Sequence, residues 1–144
     1  APLFWFAIAG LPGAAVYRFA NTADAMWGYR DHREWSGKFA ARADDLLSWL
    51  PARLTALALL AARPALLPRL AGEARRTPSP NSGWPMAAMA LRLGLALGKP
   101  GVYQLNSSGA KPGPGDVALA CRTAAQALLP GLACTALLAW GLRA

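Results

Sequence analysis

The chain has 144 residues, enough for one domain with a sizeable core, and 55% of them are hydrophobic while 15% are charged. This balance is lopsided for a soluble domain and is typical of a membrane protein. The net charge of +8 comes with no interleaved aromatic and basic pattern and no nucleic-acid-binding module, so we expect no nucleic-acid partner.

The basic excess lies in the second half of the chain. Six basic and five acidic residues occur from Arg18 to Arg53, whereas eight basic residues from Arg63 to Arg122 face only Glu73 and Asp116. Lys and Arg resist translocation, so in a membrane protein this excess predicts cytoplasmic loops.

Leu and Ala dominate the apolar residues, while Val occurs 3 times and Ile once. This usage predicts helices and an all-α fold. Leu3 to Val16 is an uncharged run, broken by Gly10 and Pro12-Gly13, that falls short of the roughly 20 residues of a membrane span. We therefore expect the chain to begin inside an apolar segment whose start lies upstream.

An amphipathic helix is predicted from Tyr17 to Gly28, followed by a charged loop at 30–34 in which His32 is a solvated histidine. A second helix is predicted from Gly37 or Lys38, through Pro51, to Ala62. Because Pro51 lacks a backbone N–H, it frees the carbonyl of Leu47, and local irregularity is expected there.

The second half alternates apolar runs with stretches rich in turn-forming residues. Residues 66–80 are predicted as a loop, 84–98 as a helix containing Arg92, and 99–116 as a connector dispensable to the core. Ala124 to Leu142 is the best membrane span, with a kink at Pro130-Gly131. Cys121 and Cys134 have no CxxC spacing, which indicates core or lipid-facing side chains.

The segments 46–62 and 84–98 are short, and each contains an arginine, which costs about 2.5–3.5 kcal/mol at the centre of a membrane helix. We therefore predict an all-α, multi-pass helical membrane protein with re-entrant or interfacial helices. In that topology the polar segments around Asp24, Asp45 and Asn81 all lie on the cytoplasmic side.

Two polar stripes follow from helical periodicity. Tyr17, Asn21, Asp24 and Gly28 fall within about 60° of one another on a helix, which suits either a groove or the wet face of a surface helix. The second stripe lies within about 80° on the next helix and suits either a site or a surface ion pair with a packed aromatic. It comprises Arg42, Asp45, Trp49 and Arg53.

The chemistry of these side chains points to phosphate and Mg²⁺. Ionisable residues within a membrane cost free energy, so those in so apolar a chain are usually functional. Arginine binds phosphate through its bidentate fork, and the carboxylates Asp24, Asp44 and Asp45 suit Mg²⁺ near a nucleotide. The loop Pro80 to Met86 leads into a helix, where exposed amides suit an anion or a capping Asn or Ser oxygen.

Together, three blocks resemble the CobD/CbiB cobalamin-biosynthesis proteins: Tyr17 to Arg30, Ala41 to Leu54 and Pro80 to Ala90. Their order and spacing match, and the resemblance spans nearly the whole chain. Members of that family are about twice this length, which implies that 1–144 is the carboxy-terminal part of a single membrane domain whose amino-terminal half is absent.

The resemblance implies an adenosylcobinamide-phosphate synthase of the bacterial inner membrane. Such an enzyme uses ATP to join a corrinoid carboxylate to aminopropanol or its phosphate, with Mg²⁺ accompanying ATP and no tightly bound cofactor. Two alternatives are an AmpE-like regulatory membrane protein without catalysis, against which the dense Asn, Asp and Arg set argues, and a transporter with a polar site at the membrane midplane.

The resemblance also implies the site residues. Asp24, Asp44 and Asp45 are the expected catalytic carboxylates, with Asp24 and Asp45 on Mg²⁺. This chain has Ser48 where the family usually has Asn, so a role that needs that amide is not expected here. The residues expected to bind substrate or phosphate are Asn21, Arg30, Arg42, Trp49, Arg53, Asn81 and Trp84.

Overall fold

The fold is known from a computed structural model, which describes residues 1–27 and 34–141. Helices dominate: α1 (Pro2–Trp27), α2 (Glu34–Leu60), a short 3₁₀ helix (Pro64–Leu66), α3 (Leu67–Ala74), α4 (Gly83–Leu93) and α5 (Pro114–Gly141). Two short strands, β1 (Leu97–Lys99) and β2 (Tyr103–Leu105), form a hairpin. The helical prediction is confirmed, with this hairpin as an unpredicted addition.

The chain divides into two compact units. One comprises residues 1–51 and 132–144, and the other comprises residues 52–131. Both boundaries fall within helices, after Pro51 in α2 and after Gly131 in α5.

Helix α1 contains both the first apolar run and the predicted amphipathic helix. The predicted helix from Tyr17 is confirmed as far as Trp27, but it begins earlier, because helical backbone continues through Val16 and Tyr17. The break lies earlier, at Gly10, whose φ of 65° and ψ of −157° are not helical. Glycine adopts positive φ without a Cβ clash, so the chain bends there and not at the end of the apolar run.

Two helices are long and apolar enough to cross a membrane by length and composition alone: Pro2–Met26 and Pro114–Gly141. The second contains most of the span predicted from Ala124. Within the part of the chain that the structure describes, neither 46–62 nor 84–98 is a candidate span by the same criteria.

The core of the second unit forms where the end of α2, α3, α4, β2 and α5 supply apolar side chains. Leu60 and Leu105 are completely buried, and they pack in one cluster with Leu70, Ala87 and Leu91. Burial of such residues contributes roughly 25 cal/mol per Å² of apolar surface removed from water. Short side chains on α4 let it pack closely against α3.

The prediction that 66–80 is wholly a loop is wrong, because α3 occupies Leu67–Ala74. Three prolines and three arginines made this segment resemble a connector. Pro68 lies in the first turn of α3, however, where its missing N–H costs no helical hydrogen bond. Leu70 and Ala74 supply the buried face.

The connector 99–116 is not dispensable to the core. Pro100 and Gly101 form a tight turn closed by a 3.0 Å bond from the Val102 amide to the Lys99 carbonyl, with Gly101 at φ 70°. The turn lets β2 return along β1 and places Leu105 in the core. The prediction missed this because Gly and Pro were interpreted as signs of irregular chain and not as a hairpin turn.

Buried Asn106 fastens the connector to α3 and α4. Its side-chain amide donates to the carbonyls of Ala90 and Leu95, and its backbone amide donates to the Glu73 carboxylate at 2.7 Å. Arg69 donates to its Oδ1 at 3.1 Å. Asn106 has φ 48°, a left-handed conformation that Asn tolerates better than most residues. These bonds satisfy the polar groups that burial would otherwise leave without partners.

The contacts of Arg92 explain why the apolar segment 84–98 contains an arginine. Its guanidinium donates to the Leu59 carbonyl near the end of α2 at 2.6 Å, and to Gln126 Oε1 on α5 at 3.3 Å. A helix C-terminus has carbonyls without helical donors and carries partial negative charge, so the arginine stabilises the end of α2.

Candidate functional site

The first unit contains a set of polar contacts between α1 and α2, which we call the α1–α2 polar cluster: Tyr17, Asn21, Asp44 and Ser48. The Tyr17 hydroxyl and Ser48 Oγ are 3.2 Å apart, and Asn21 Nδ2 donates to Asp44 Oδ1 at 3.1 Å. Asn21 follows Tyr17 by four residues on α1, whereas its partner Asp44 precedes Ser48 by four residues on α2. This reversed order is the pattern of antiparallel helices.

The residues of the first stripe that the structure describes are not fully exposed. Tyr17 is only 8% exposed, and Asn21 and Asp24 are half-buried. These three residues are therefore partly or fully buried, and the groove stays a prediction. Gly28 and Arg30, also predicted here, lie outside the residues that the structure describes.

The three predicted carboxylates are all partly buried. Asp24 is on α1, Asp44 and Asp45 are on α2, and Asn21 holds one oxygen of Asp44. Across residues 1–27 and 34–141, no group of three or more His, Cys, Asp or Glu side chains is placed to hold a metal ion. One or two carboxylates nevertheless suffice for Mg²⁺ that arrives with a nucleotide, because phosphate oxygens and waters complete its coordination.

On α2, Arg42 is exposed and Trp49 is 53% exposed. Both are on the same continuous helix as Asp45, so the spacing that placed them on one face is retained.

The second unit contains a separate arrangement, the Arg53 cluster, formed by Arg53, Pro80, Asn81 and Trp84. Arg53 Nη1 donates to Asn81 Oδ1 at 2.6 Å, and Nη2 donates to the Pro80 carbonyl at 3.2 Å. The guanidinium carbon lies 4.8 Å from the centre of the Trp84 ring, a cation–π distance. The structure thus brings together three residues predicted from two separate blocks.

Asn81 is 5% exposed, so the acceptor end of its bond with Arg53 is buried. Partial burial also lowers the pKa of Arg53 from its ordinary value through desolvation. Arginine nevertheless remains a cation in proteins, so the cluster holds a positive charge beside the start of α4.

The loop before α4 is held by hydrogen bonds of Ser79 and Thr77. Ser79 Oγ accepts from the backbone amides of Asn81 and Ser82, at 3.3 and 3.2 Å. The Thr77 hydroxyl lies within bonding distance of the Ala74 and Ser79 carbonyls. Ser79 therefore orders the loop before α4, whereas no side chain in the described part of the chain caps the helix start at Ser82. The predicted Asn or Ser cap is not formed, and binding of an anion by the amides stays a prediction.

Gly83 lets this loop pack closely. A Cβ at this position would collide with the Ala74 carbonyl oxygen and the Thr77 hydroxyl. We expect Gly83→Ala to lower the free energy of unfolding by about 2 kcal/mol, because backbone must shift to admit the methyl group. Thermal unfolding in detergent measures this change.

Gly72→Ala is the matched control, since nothing lies within 4 Å of an added Cβ in the middle of α3. It should stabilise the protein by about 0.5–1 kcal/mol through helix propensity. Equal behaviour of the two variants would contradict the close contact at Gly83.

Three polar contacts were not predicted as such: Tyr17 with Ser48, the bonds from the loop amides to Ser79, and the Thr77 bonds. Ser48 stood out in the sequence only as a departure from the family pattern. Ser79 and Thr77 are in a segment recognised for its turn formers, where Ser and Thr commonly bond to nearby backbone. That tendency was the sequence signal from which the Ser79 and Thr77 bonds could have been predicted.

The fold and the polar clusters define a class. This is a helical protein with two long apolar helices, α1 and α5, and its Asn, Asp and Arg side chains are paired between separate segments. The particular family is shown by sequence comparison. The chain belongs to the CobD/CbiB protein family, whose profile matches residues 1–128.

Curated relatives agree. The chain is 48% identical over 113 residues to the probable cobalamin biosynthesis protein CobD of Methanothermobacter thermautotrophicus, covering 73% of this chain and 38% of that protein. It is 45% identical over 130 residues to cobalamin biosynthesis protein CobD of Rhodobacter capsulatus, covering 82% and 41%. It is 40% identical over 153 residues to the protein of the same name from Brucella melitensis, and the match covers 92% of this chain and 47% of that protein.

The chain therefore spans less than half the length of these relatives. No solved structure matches it significantly.

Proposed function

We propose that this chain is part of an enzyme of cobalamin biosynthesis, an adenosylcobinamide-phosphate synthase. The reaction joins a carboxylate of adenosylcobyric acid to the amine of aminopropanol or its phosphate and consumes ATP. The observation that carries the proposal is family membership together with side-chain pairing inside the signature blocks: Asn21 with Asp44, and Arg53 with Asn81.

The chemistry sets three tasks for the protein. A carboxylate is a poor acceptor for an amine, so ATP must first convert one of its oxygens into a leaving group. The amine must lose a proton as it attacks the activated carbonyl carbon, and phosphate charge must be neutralised. A carboxylate set and an arginine set are the side chains suited to these tasks.

Asp24, Asp44 and Asp45 are proposed for the first two tasks. Two of them, Asp24 and Asp45, are proposed to contact the Mg²⁺ that accompanies ATP, since Mg²⁺ prefers carboxylate and phosphate oxygens. Asp44 is proposed to contact the substrate amine. The bond from Asn21 fixes the direction of the Asp44 carboxylate.

Arg30, Arg42 and Arg53 are proposed to bind phosphate groups, with Asn81 and Asn21 as polar contacts to substrate. The acceptors that Arg53 uses at Asn81 and Pro80 are both neutral, so these two bonds orient the guanidinium without cancelling its charge. Trp84 is covered by Arg53, whereas the exposed face of Trp49 is proposed to pack on the corrin.

A multi-pass location in the bacterial inner membrane, with the polar segments on the cytoplasmic side, is part of the proposal. Its support is the apolar surface of the two long helices. Leu11 and Phe19 on α1 are 72% and 70% exposed, and Leu137 and Trp140 on α5 are 73% and 77% exposed. Large exposed apolar side chains are costly in water and match a lipid environment.

A growth test checks the proposed function. A bacterium that lacks its own synthase, and whose growth depends on corrinoid, should grow on cobyric acid when given the full-length gene. Growth on added cobinamide, which bypasses this step, is the control. If the gene supports growth no better than an empty vector while cobinamide does, the proposed function is wrong.

A further inference from the structure

Three side chains of α1 contact one turn of α2. In addition to the bonds at Asp44 and Ser48, the indole N–H of Trp5 donates to the backbone carbonyl of Leu47 at 2.9 Å. Trp5 comes from the segment before the Gly10 bend, whereas Tyr17 and Asn21 come from the segment after it. Both arms of α1 therefore reach the turn that carries Asp44 and Asp45.

The Leu47 carbonyl is a special acceptor. In an α-helix the carbonyl of residue 47 accepts from the N–H of residue 51, but residue 51 is proline and has no N–H. A partly buried carbonyl without a donor costs about 1–3 kcal/mol. The Trp5 indole, which can only donate, replaces the missing backbone donor.

The bend at Gly10 is what allows Trp5 to reach this carbonyl. A Cβ on Gly13 would lie 2.7 Å from the Trp5 carbonyl oxygen. Eight residues of straight helix rise about 12 Å, so this approach requires the chain to fold back sharply. Phe4, which is 5% exposed, packs edge-on against the Trp5 ring with centroids 5.2 Å apart and holds it in place.

We propose that Trp5 is a positioning residue for the Asp44–Asp45 turn, acting through the Leu47 carbonyl that Pro51 leaves without a donor. The inference rests on the proposed function in one respect, since Asp44 and Asp45 are taken as the reacting carboxylates. Without the indole donor, the helix opens at Leu47, and the carboxylates one turn earlier lose their fixed direction.

The test is a double-mutant cycle in the full-length protein in membranes. Trp5→Phe keeps an aromatic ring and removes the N–H, and Pro51→Ala returns a backbone N–H to Leu47. We expect Trp5→Phe to lower kcat by about 5- to 10-fold with KM for ATP unchanged, the size of one lost hydrogen bond. In the Pro51→Ala background, Trp5→Phe should lower kcat by less than about 2-fold.

The comparison separates positioning from packing. The smaller ring of Trp5→Phe and the altered side chain of Pro51→Ala each change packing in both arms of the cycle, so these effects cancel. Trp140→Phe, a change at an exposed tryptophan, is the matched control and should leave kcat unchanged. An equal decrease of kcat in both backgrounds, or a change in KM with kcat unaffected, would overturn the proposal.

Thermal unfolding of the same four proteins makes the inference independent of the activity. Trp5→Phe should lower Tm in the protein that retains Pro51 and leave it nearly unchanged in the Pro51→Ala background. If the wild type forms no cobinamide product but this coupling is present, the proposed function fails while the hydrogen-bond assignment stands. If the coupling is absent, the assignment itself fails.

Gly13→Ala supplies a second variant should Pro51→Ala fold poorly. Its added Cβ displaces the Trp5 backbone, so it should reproduce the kcat loss of Trp5→Phe. The double variant Gly13→Ala with Trp5→Phe should have a kcat less than about 2-fold below that of either single variant, because both changes remove the same bond. Fully additive losses would count against the proposal.

Discussion

Asp45→Ala is expected to reduce formation of the cobinamide product by roughly 10²- to 10⁴-fold, the contribution of a positioned acid–base or charge-stabilising side chain. Asp45 is half-buried in α2 beside Asp44. If it contacts Mg²⁺ and nucleotide, its negative charge is required, so Asp45→Asn should be nearly as inactive as Asp45→Ala. Product formation by membranes containing equal amounts of each full-length protein measures the effect.

Asp116→Ala is the control for removal of a carboxylate. Asp116 Oδ2 accepts from the Gly113 amide at 2.7 Å at the start of α5, so its loss affects a helix cap and costs about 1 kcal/mol of stability. Turnover should persist in this variant. Normal turnover in Asp45→Ala would remove Asp45 from the site.

Arg53→Ala is expected to have the second large effect, on both stability and substrate use. The change removes two bonds from a charged donor and a cation–π contact, and it leaves buried Asn81 without that donor. Together these losses should lower the free energy of unfolding by about 2–4 kcal/mol. Arg53→Lys should recover only part of this, since an ammonium group lacks the planar fork.

Substrate use distinguishes phosphate binding from a purely structural role. If Arg53 contacts the phosphate of the amine substrate, Arg53→Lys should raise KM for aminopropanol phosphate by about 10-fold or more. KM for unphosphorylated aminopropanol should change little. An equal change for both amines would assign Arg53 to holding the loop at Pro80 and Asn81 and not to phosphate.

Arg76→Ala is the matched arginine control. Arg76 is half exposed and pairs with Glu73 one turn away on the chain at 3.4 Å. Glu73 is 12% exposed and also accepts from the Asn106 amide, so loss of the half-exposed Arg76 should cost at most about 1 kcal/mol. Loss of stability in this variant as large as in Arg53→Ala would show that removal of any arginine destabilises the protein.

Helical periodicity predicted the elements that carry the polar residues but not the partners of each residue. The stripe containing Tyr17 and Asn21 followed from local spacing, because a helix fixes which side chains share a face. The bond between Asn21 and Asp44 joins residues 23 apart, and that between Arg53 and Asn81 joins residues 28 apart. Such contacts depend on packing between helices, which spacing within one segment does not determine.

The segments predicted wrongly share one cause. In 66–80 and 99–116, proline and glycine were treated as signs of irregular chain, although Pro68 starts α3 and Pro100-Gly101 closes a hairpin. Both residues also occupy defined positions in regular structure. By contrast, Pro51 allowed a specific prediction, a freed Leu47 carbonyl, because the missing N–H follows from covalent structure. The partner of that carbonyl, Trp5, comes from a distant part of the sequence and required the structure.

The most direct measurement of the central claim follows the reaction in membranes. Full-length protein is incubated with adenosylcobyric acid, ATP, Mg²⁺ and either aminopropanol phosphate or aminopropanol, and the corrinoid is analysed by mass spectrometry. We expect a product heavier by the amine minus one water, formed only with ATP and absent with Asp45→Ala. Unchanged adenosylcobyric acid with both amines, from protein that is folded and membrane-inserted, would contradict the account and favour a non-catalytic role.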